Sequence, residues 1–299
     1  MASHSATAAP GYITLPFDLR ANPDAFYEPE NMKLLESLFP GNYGLSTDGM
    51  FIYFLQTEMP PKPWPKSVAG PTPYFAPRMG PQYMPTPFGW RVGMRNGAIG
   101  EGVDGKGVVD WEPLFIIVRN HFREIGISIT EVMYWQNYLV VIFQHRNIDT
   151  ENLPQKAGNI ALTYYYEDEM DRPSTPQSRC GTDTGPENQV LLQKLTPVKG
   201  RRTGEFLFLV ASDTDLIEGS FKVTSFQRVE EQWVFKIWLY MGQDSTEAYS
   251  PVYGTAIWTS DGDVLGFVRY APTVGFTKDW CAGIAADEFI DREGLLHNY

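Results

Sequence analysis

From Asn188 to Tyr270 the chain is a succession of short apolar runs broken by turn residues. Six runs have strand length: 189–195, 205–211, 219–228, 232–241, 254–259 and 264–270. The last two flank Asp261-Gly262, a dipeptide suited to a tight hairpin turn. Six such strands joined by short turns suit a small closed sheet. They predict a small antiparallel β-barrel, with a closing helix near 285–292 that turns Ala285, Phe289 and Ile290 inward.

Upstream the pattern changes. Asp110 is a good helix N-cap, and Glu112 and Pro113 suit a first turn. Trp111, Leu114, Phe115, Val118, Phe122 and Ile125 then recur at helical spacing up to Gly126. Runs at 127–134 and 138–143 read as a hairpin, and 160–166 as a short strand. Nearer the N-terminus, a helix is expected over 29–39 and a buried strand over 50–55. Between 59 and 88 stand ten of the 23 prolines, which block helix and ladder hydrogen bonds. The expectation is an α+β chain in five parts. These are a disordered tail (1–15), a helix and strand (16–58), an irregular proline-rich wrapping segment (59–105), an α/β helix–hairpin module (106–170) and the β-barrel with its helix (187–299).

The net charge of −12 argues against nucleic acid, because polyanion binding needs a basic stripe. The densest basic group, Lys199, Arg201 and Arg202, fits a solvated loop. No apolar run approaches the length of a membrane span, so no membrane partner is expected. The first ten residues lack the basic and apolar regions of a secretory leader. Cys180 and Cys281 give no disulfide framework. Together these point to the cytoplasm.

Lys199-Gly200-Arg201-Arg202-Thr203-Gly204 precedes one strand, Glu218-Gly219-Ser220-Phe221 opens the next, and Gly254-Thr255-Ala256-Ile257-Trp258 begins the hairpin. In these motifs the region resembles the C-terminal barrel of a divergent fungal trypsin-like serine protease family. The module at 110–146 is similar to one that precedes the protease part in some members. The resemblance implies a nucleophile just before the hairpin, and there the chemistry fails. Tyr253 stands at the serine position, Val252 at the preceding aspartate, and Pro251 at a glycine whose N–H would serve the oxyanion hole. The four histidines are His4, His121, His145 and His297, and none has the context of the family's base.

Other chemistry is sparse. His145 ends a strand with Asp149 four residues on, a pairing suited to a general base. Asp244-Ser245 lacks the glycine that would expose a nucleophile. Glu167, Asp168, Glu169 and Asp171 fit a solvated acidic loop, and no metal-ligand spacing or dinucleotide fingerprint is visible. No cofactor is expected. The reading is a non-catalytic, protease-like protein that binds a protein or small-molecule ligand. The alternative is a repurposed, cofactor-independent enzyme acting on a small organic substrate near the lost nucleophile, with Tyr253, Ser250 and His145 as its candidates.

Overall fold

The structure is a computed structural model that describes residues 8–9, 11–78, 95–100, 102–103, 110–135, 138–150, 152–170, 172, 192–199, 201, 203–210, 216–229, 231–245 and 253–290. The chain divides into two compact units, 1–84 and 85–299.

In the first unit, β1 (Ala8–Ala9), β2 (Tyr12–Ile13) and β5 (Ser67–Val68) form one small sheet. The strands β3 (Asn42–Thr47), β4 (Phe51–Gln56) and β6 (Thr72–Pro77) form another, in the order β3-β4-β6. Helix α1 (Pro29–Ser37) starts on Pro29 and buries Leu35. Its neighbour Phe39 meets the rings of Phe54 and Phe75 edge-on at 4.8 and 4.9 Å. Leu19, Phe26, Ile52 and Val68 complete this core.

The proline-rich stretch is not irregular throughout, which corrects the expectation for 59–105. Thr72–Pro77 runs parallel to β4 over six pairs. Pro73 and Pro77 alternate with Tyr74 and Ala76 along the strand, and the ladder to β4 is kept in spite of them. Residues 57–71 supply the long crossover that a parallel pair requires. A second strand within the stretch, β7 (Arg95–Ile99), belongs to the other unit.

The second unit is built on one mixed eleven-stranded sheet. Besides β7 it contains β8 (Ile129–Trp135), β9 (Tyr138–Phe143), β10 (Pro154–Ala157), β11 (Ile160–Tyr166), β12 (Phe206–Val210), β13 (Leu216–Val229), β14 (Gln232–Tyr240), β15 (Ala256–Trp258), β16 (Val264–Tyr270) and β17 (Trp280–Ala285). The pairs β9–β11 and β7–β10 are parallel. Helix α2 (Glu112–Glu124) has Trp111 at its N-cap rather than the expected Asp110, which stands one residue earlier and accepts from the Glu112 N–H on Oδ1 at 3.1 Å. Its buried stripe, Leu114, Phe115, Val118 and Phe122, joins one core with Val132, Val141, Phe143 and Tyr164.

Six strands of this sheet form a cycle: β12–β13–β14–β17–β16–β15 and back to β12, every link antiparallel. The cycle closes unevenly. Its β12–β15 link is the single pair Phe208–Trp258, whereas β12–β13 has five pairs. Leu207, Leu209, Ile237, Leu239, Ile257, Leu265 and Cys281 belong to the same core as the helix stripe.

Two expected elements are corrected. Of the run at 189–195, residues 192–195 are described, and they do not form a ring strand: they bond alongside the start of β16 through one isolated parallel bridge, Leu195–Val264. Leu192, Gln193 and Lys194 are exposed, so this part of the run has no face to bury. The sixth ring strand is instead β17, followed by a short 3-10 turn (Ala286–Glu288) in place of the start of the helix at 285–292. Asp287 and Glu288 explain the turn. Their carboxylates accept from the Val198 and Phe235 N–H groups at 2.7 and 2.6 Å, tying the chain end to two neighbouring segments. Residues 291–299 lie outside the described ones.

Gly266 and Gly283 let β16 and β17 fit the ring. A Cβ at Gly266 would stand 2.3 Å from the Ile284 carbonyl oxygen, and one at Gly283 2.5 Å from Ile257 Cδ1 and 3.0 Å from the Phe267 oxygen. Gly97 in β7 has nothing within 4 Å of such a position. Gly266→Ala is expected to cost about 2 kcal/mol or more by overpacking against backbone. Gly97→Ala should stay within about 0.5 kcal/mol. Urea denaturation of both variants checks the contrast.

Candidate functional site

Alternation along each strand sends one set of side chains to the α2 core and the other set to the opposite face. That second face is lined by large aromatic residues, including Trp135, Trp238 and Trp280, all buried. Phe276 stands between Trp135 and Tyr165, with ring centres 5.3 and 4.8 Å away. Among these rings are two fully buried charges, Glu131 on β8 and Lys236 on β14, each 0% exposed.

Glu131 and Lys236 share a compact network. Lys236 Nζ lies 3.6 Å from Glu131 Oε1 and donates to the Tyr270 hydroxyl at 2.6 Å. The ammonium also lies 4.6 Å from the ring centres of Trp238 and Tyr270. Arg172 Nη2 meets Glu131 Oε2 at 2.5 Å as an ion pair, without a well-directed hydrogen bond. Its Nη1 reaches Glu167 at 3.3 Å. Trp238 Nε1 donates to Ser225 Oγ at 3.1 Å.

Burial and charge oppose each other here. Burial pushes the Glu131 carboxyl up, but Arg172, Lys236 and the hydrogen bonds from Ser225 and Trp238 outweigh it and hold the group below its usual range. Burial dominates at Lys236, whose pKa falls to about 7 despite Glu131, with Arg172 lowering it further. Burial raises the Tyr270 phenol. The nearby Cys281 thiol is pushed up to about 12 by burial, so it is an unreactive core group. This centre is a buried ionic tie across the sheet.

An open groove lies elsewhere in the same unit, at the C-terminal end of α2. It encloses about 530 Å³ and is lined by His121, Ile125, Gly126, Ile127, Ser128, His145, Asn147, Ile148, Asp149, Asn152 and Leu153. Local sequence builds it. Gly126, at φ +75°, ends the helix, and the Ile127 N–H returns to the Phe122 carbonyl at 2.9 Å. The Gln144 N–H bonds the Ser128 carbonyl at 3.0 Å, which carries His145 to the rim. Asn152 Nδ2 donates to Asp149 Oδ2 at 2.5 Å and shapes the facing turn. Burial lowers the His121 pKa against an opposing pull from Glu124, which favours the neutral imidazole.

His145 and Asp149, proposed as a pair from sequence, therefore border one cavity, joined there by His121. Tyr253 does not join them. It sits in a turn before β15, 37% exposed, and the next residue's N–H is occupied by the Val268 carbonyl at 2.8 Å. Ser250, Pro251, Val252, Arg202, Cys180, His4 and His297 lie outside the described residues. Ser245 is buried next to Asp244, whose φ of +63° marks a tight turn. Lys199 pairs with Glu112, and Arg201 with Glu205 at 2.8 Å, so both carry carboxylate partners. Arg146 and Arg172 pair with the acidic run 167–169, which is a 3-10 turn rather than a loose loop.

The buried ionic centre was missed from sequence, although a signal existed. Glu131 and Lys236 each interrupt an apolar strand at a position where alternation demands burial. Arg172 gives no such signal.

Among the described residues, no group of three or more His, Cys, Asp or Glu could hold a metal ion. No described helix is long and apolar enough to cross a membrane. No family model matches the chain, and no curated protein or solved structure matches it.

The ionic centre sets a pH dependence. Lys236 binds its proton less tightly folded (about 7) than unfolded (about 10.4). Between those values the unfolded state holds more protons, so this group makes stability rise with pH; below pH 7 its full cost is present. Lys236→Met should flatten the rise in unfolding free energy between pH 7 and 8.5 measured in urea, leaving the variant as stable as the parent or more so near neutrality. Glu131→Gln should cost about 3 to 5 kcal/mol, because Arg172 and Lys236 would then lose the one buried carboxylate between them and keep only the more exposed Glu167.

Proposed function

We propose that this chain is a ligand-binding protein whose second unit derives from a trypsin-like barrel and has lost the protease chemistry. The observation that carries the binding reading is the groove at the end of α2, about 530 Å³ with a mixed lining of isoleucines, imidazoles, amides and one carboxylate. Its size lies in the range of small-molecule sites, and its few polar groups stand among apolar ones.

The barrel ancestry rests on the resemblance together with the antiparallel cycle of six strands. The position of Tyr253, in the turn that leads into β15 and the β15–β16 hairpin, agrees with it. A phenol on an exposed turn, after proline and valine, has neither the base nor the oxyanion donors of a serine protease. The ligand is a small molecule in this reading. A cytoplasmic setting stays with it as an expectation from composition.

The enzyme alternative gains one specific observation and changes its place. His121 and His145 flank a single cavity with Asp149 nearby, which suits cofactor-independent acid–base work on a small organic substrate. In that version Tyr253, which lies away from the groove, has no role.

Soaking crystals with a broad fragment mixture tests the site. Bound fragments are expected between the end of α2 and residues 145–153. Ile148→Trp, which fills the groove, should abolish their binding, and Tyr253→Ala should leave it unchanged. Fluorophosphonate probes should not label the protein; labelling would restore a serine hydrolase. Fragments gathered at Tyr253 instead would sink the proposal.

A further inference from the structure

We infer that the groove at the end of α2 takes a small organic cation, a primary alkylammonium on a short apolar stem. The inference rests on the reading of this groove as the ligand site and adds the chemistry of the occupant.

Charge decides it. Among the lining side chains Asp149 is the permanent charge at neutral pH, and it is negative. Helix α2 ends here, so its macrodipole presents a negative pole to the cavity. Glu124, in the last turn, lies close enough to act on His121. The cation beside His145 in sequence, Arg146, is engaged by Asp168 at 2.7 Å and Glu169 at 3.6 Å. An anionic ligand would need the reverse, a helix N-terminus or free guanidinium groups.

The polar lining suits a donor-only ligand. An ammonium offers three N–H groups and no acceptor. The groove is lined by the Asp149 carboxylate, the Asn147 and Asn152 amides, the Ser128 hydroxyl and the His121 ring, whose neutral form burial favours. Ile125, Ile127, Ile148 and Leu153 supply apolar surface for a stem of a few carbons. The chain's net charge of −12 favours the approach of a cation to any part of its surface.

The test follows the imidazole resonances of His121 and His145 in the full-length chain by NMR, assigned with His121→Gln and His145→Gln. The probes are n-butylammonium, Nα-acetyl-lysine methylamide, 1-butanol and butyrate at pH 7.5. Saturable shifts are expected with the two amines and not with butyrate, and either amine supports the assignment. Their order of affinity separates a free amine from a lysine side chain on a polypeptide. Asp149→Asn, on an exposed loop, should weaken amine binding about tenfold through loss of one charge-assisted contact. Equal shifts with butanol or butyrate, or amine binding indifferent to Asp149→Asn, would overturn the cation while leaving the groove as a site. If none of the probes shifts either imidazole and the fragment soaks also leave the groove empty, the groove itself fails as the ligand site.

Discussion

The second unit depends on one long strand that belongs to two structures at once. β13 runs for 14 residues. Its first part, 216–220, pairs with β12 and closes the ring. Its later part, 224–227, pairs with β8 and carries the rest of the sheet. Between them the register with β14 slips at Lys222, between Phe221 and Val223. An extra residue of this kind bends a strand and increases its twist. The bend lets one chain segment curve into a closed cycle and then serve an open sheet. Without it, the hydrogen bonds of one half would be lost to the other.

That sharing explains the ionic centre. β8 and β14 lie on either side of β13, where Lys236 is opposite Ser225 and Glu131 opposite Gln227, so the two charges meet diagonally across one face of it. A carboxylate and an ammonium with no exposure at all are costly to bury, and they persist here with Arg172, Tyr270 and Trp238 around them. Such a centre specifies register. A one-residue slip of β8 or β14 would send its charge to the α2 core, where Val132, Phe235 and Ile237 belong.

The sequence discloses some elements and conceals others for physical reasons. Helix α2 and strands β9, β11 and β16 are legible because their apolar patterns are dense and bounded by turn or capping residues. β17, Trp-Cys-Ala-Gly-Ile-Ala, is buried on both faces and has no alternation to read; its glycine is a packing requirement visible only against Ile257. β6 was hidden by its prolines. The site is harder still. His145 and Asp149 could be paired from their spacing, but His121 reads as one more residue of an amphipathic helix until the turn at Gly126 brings its end against residues 145–153. Cavities depend on how elements meet, which local pattern does not encode.

The prolines of β6 have an effect beyond their own strand. Pro73 and Pro77 have no N–H to donate, and they share a parity along the strand, with Phe75 between them. Any strand lying along that side of β6 meets a row of donors broken on both sides of Phe75. The composition that makes the segment look unstructured thus limits which partners β6 can take, and makes it a poor template for indiscriminate pairing of extended chains.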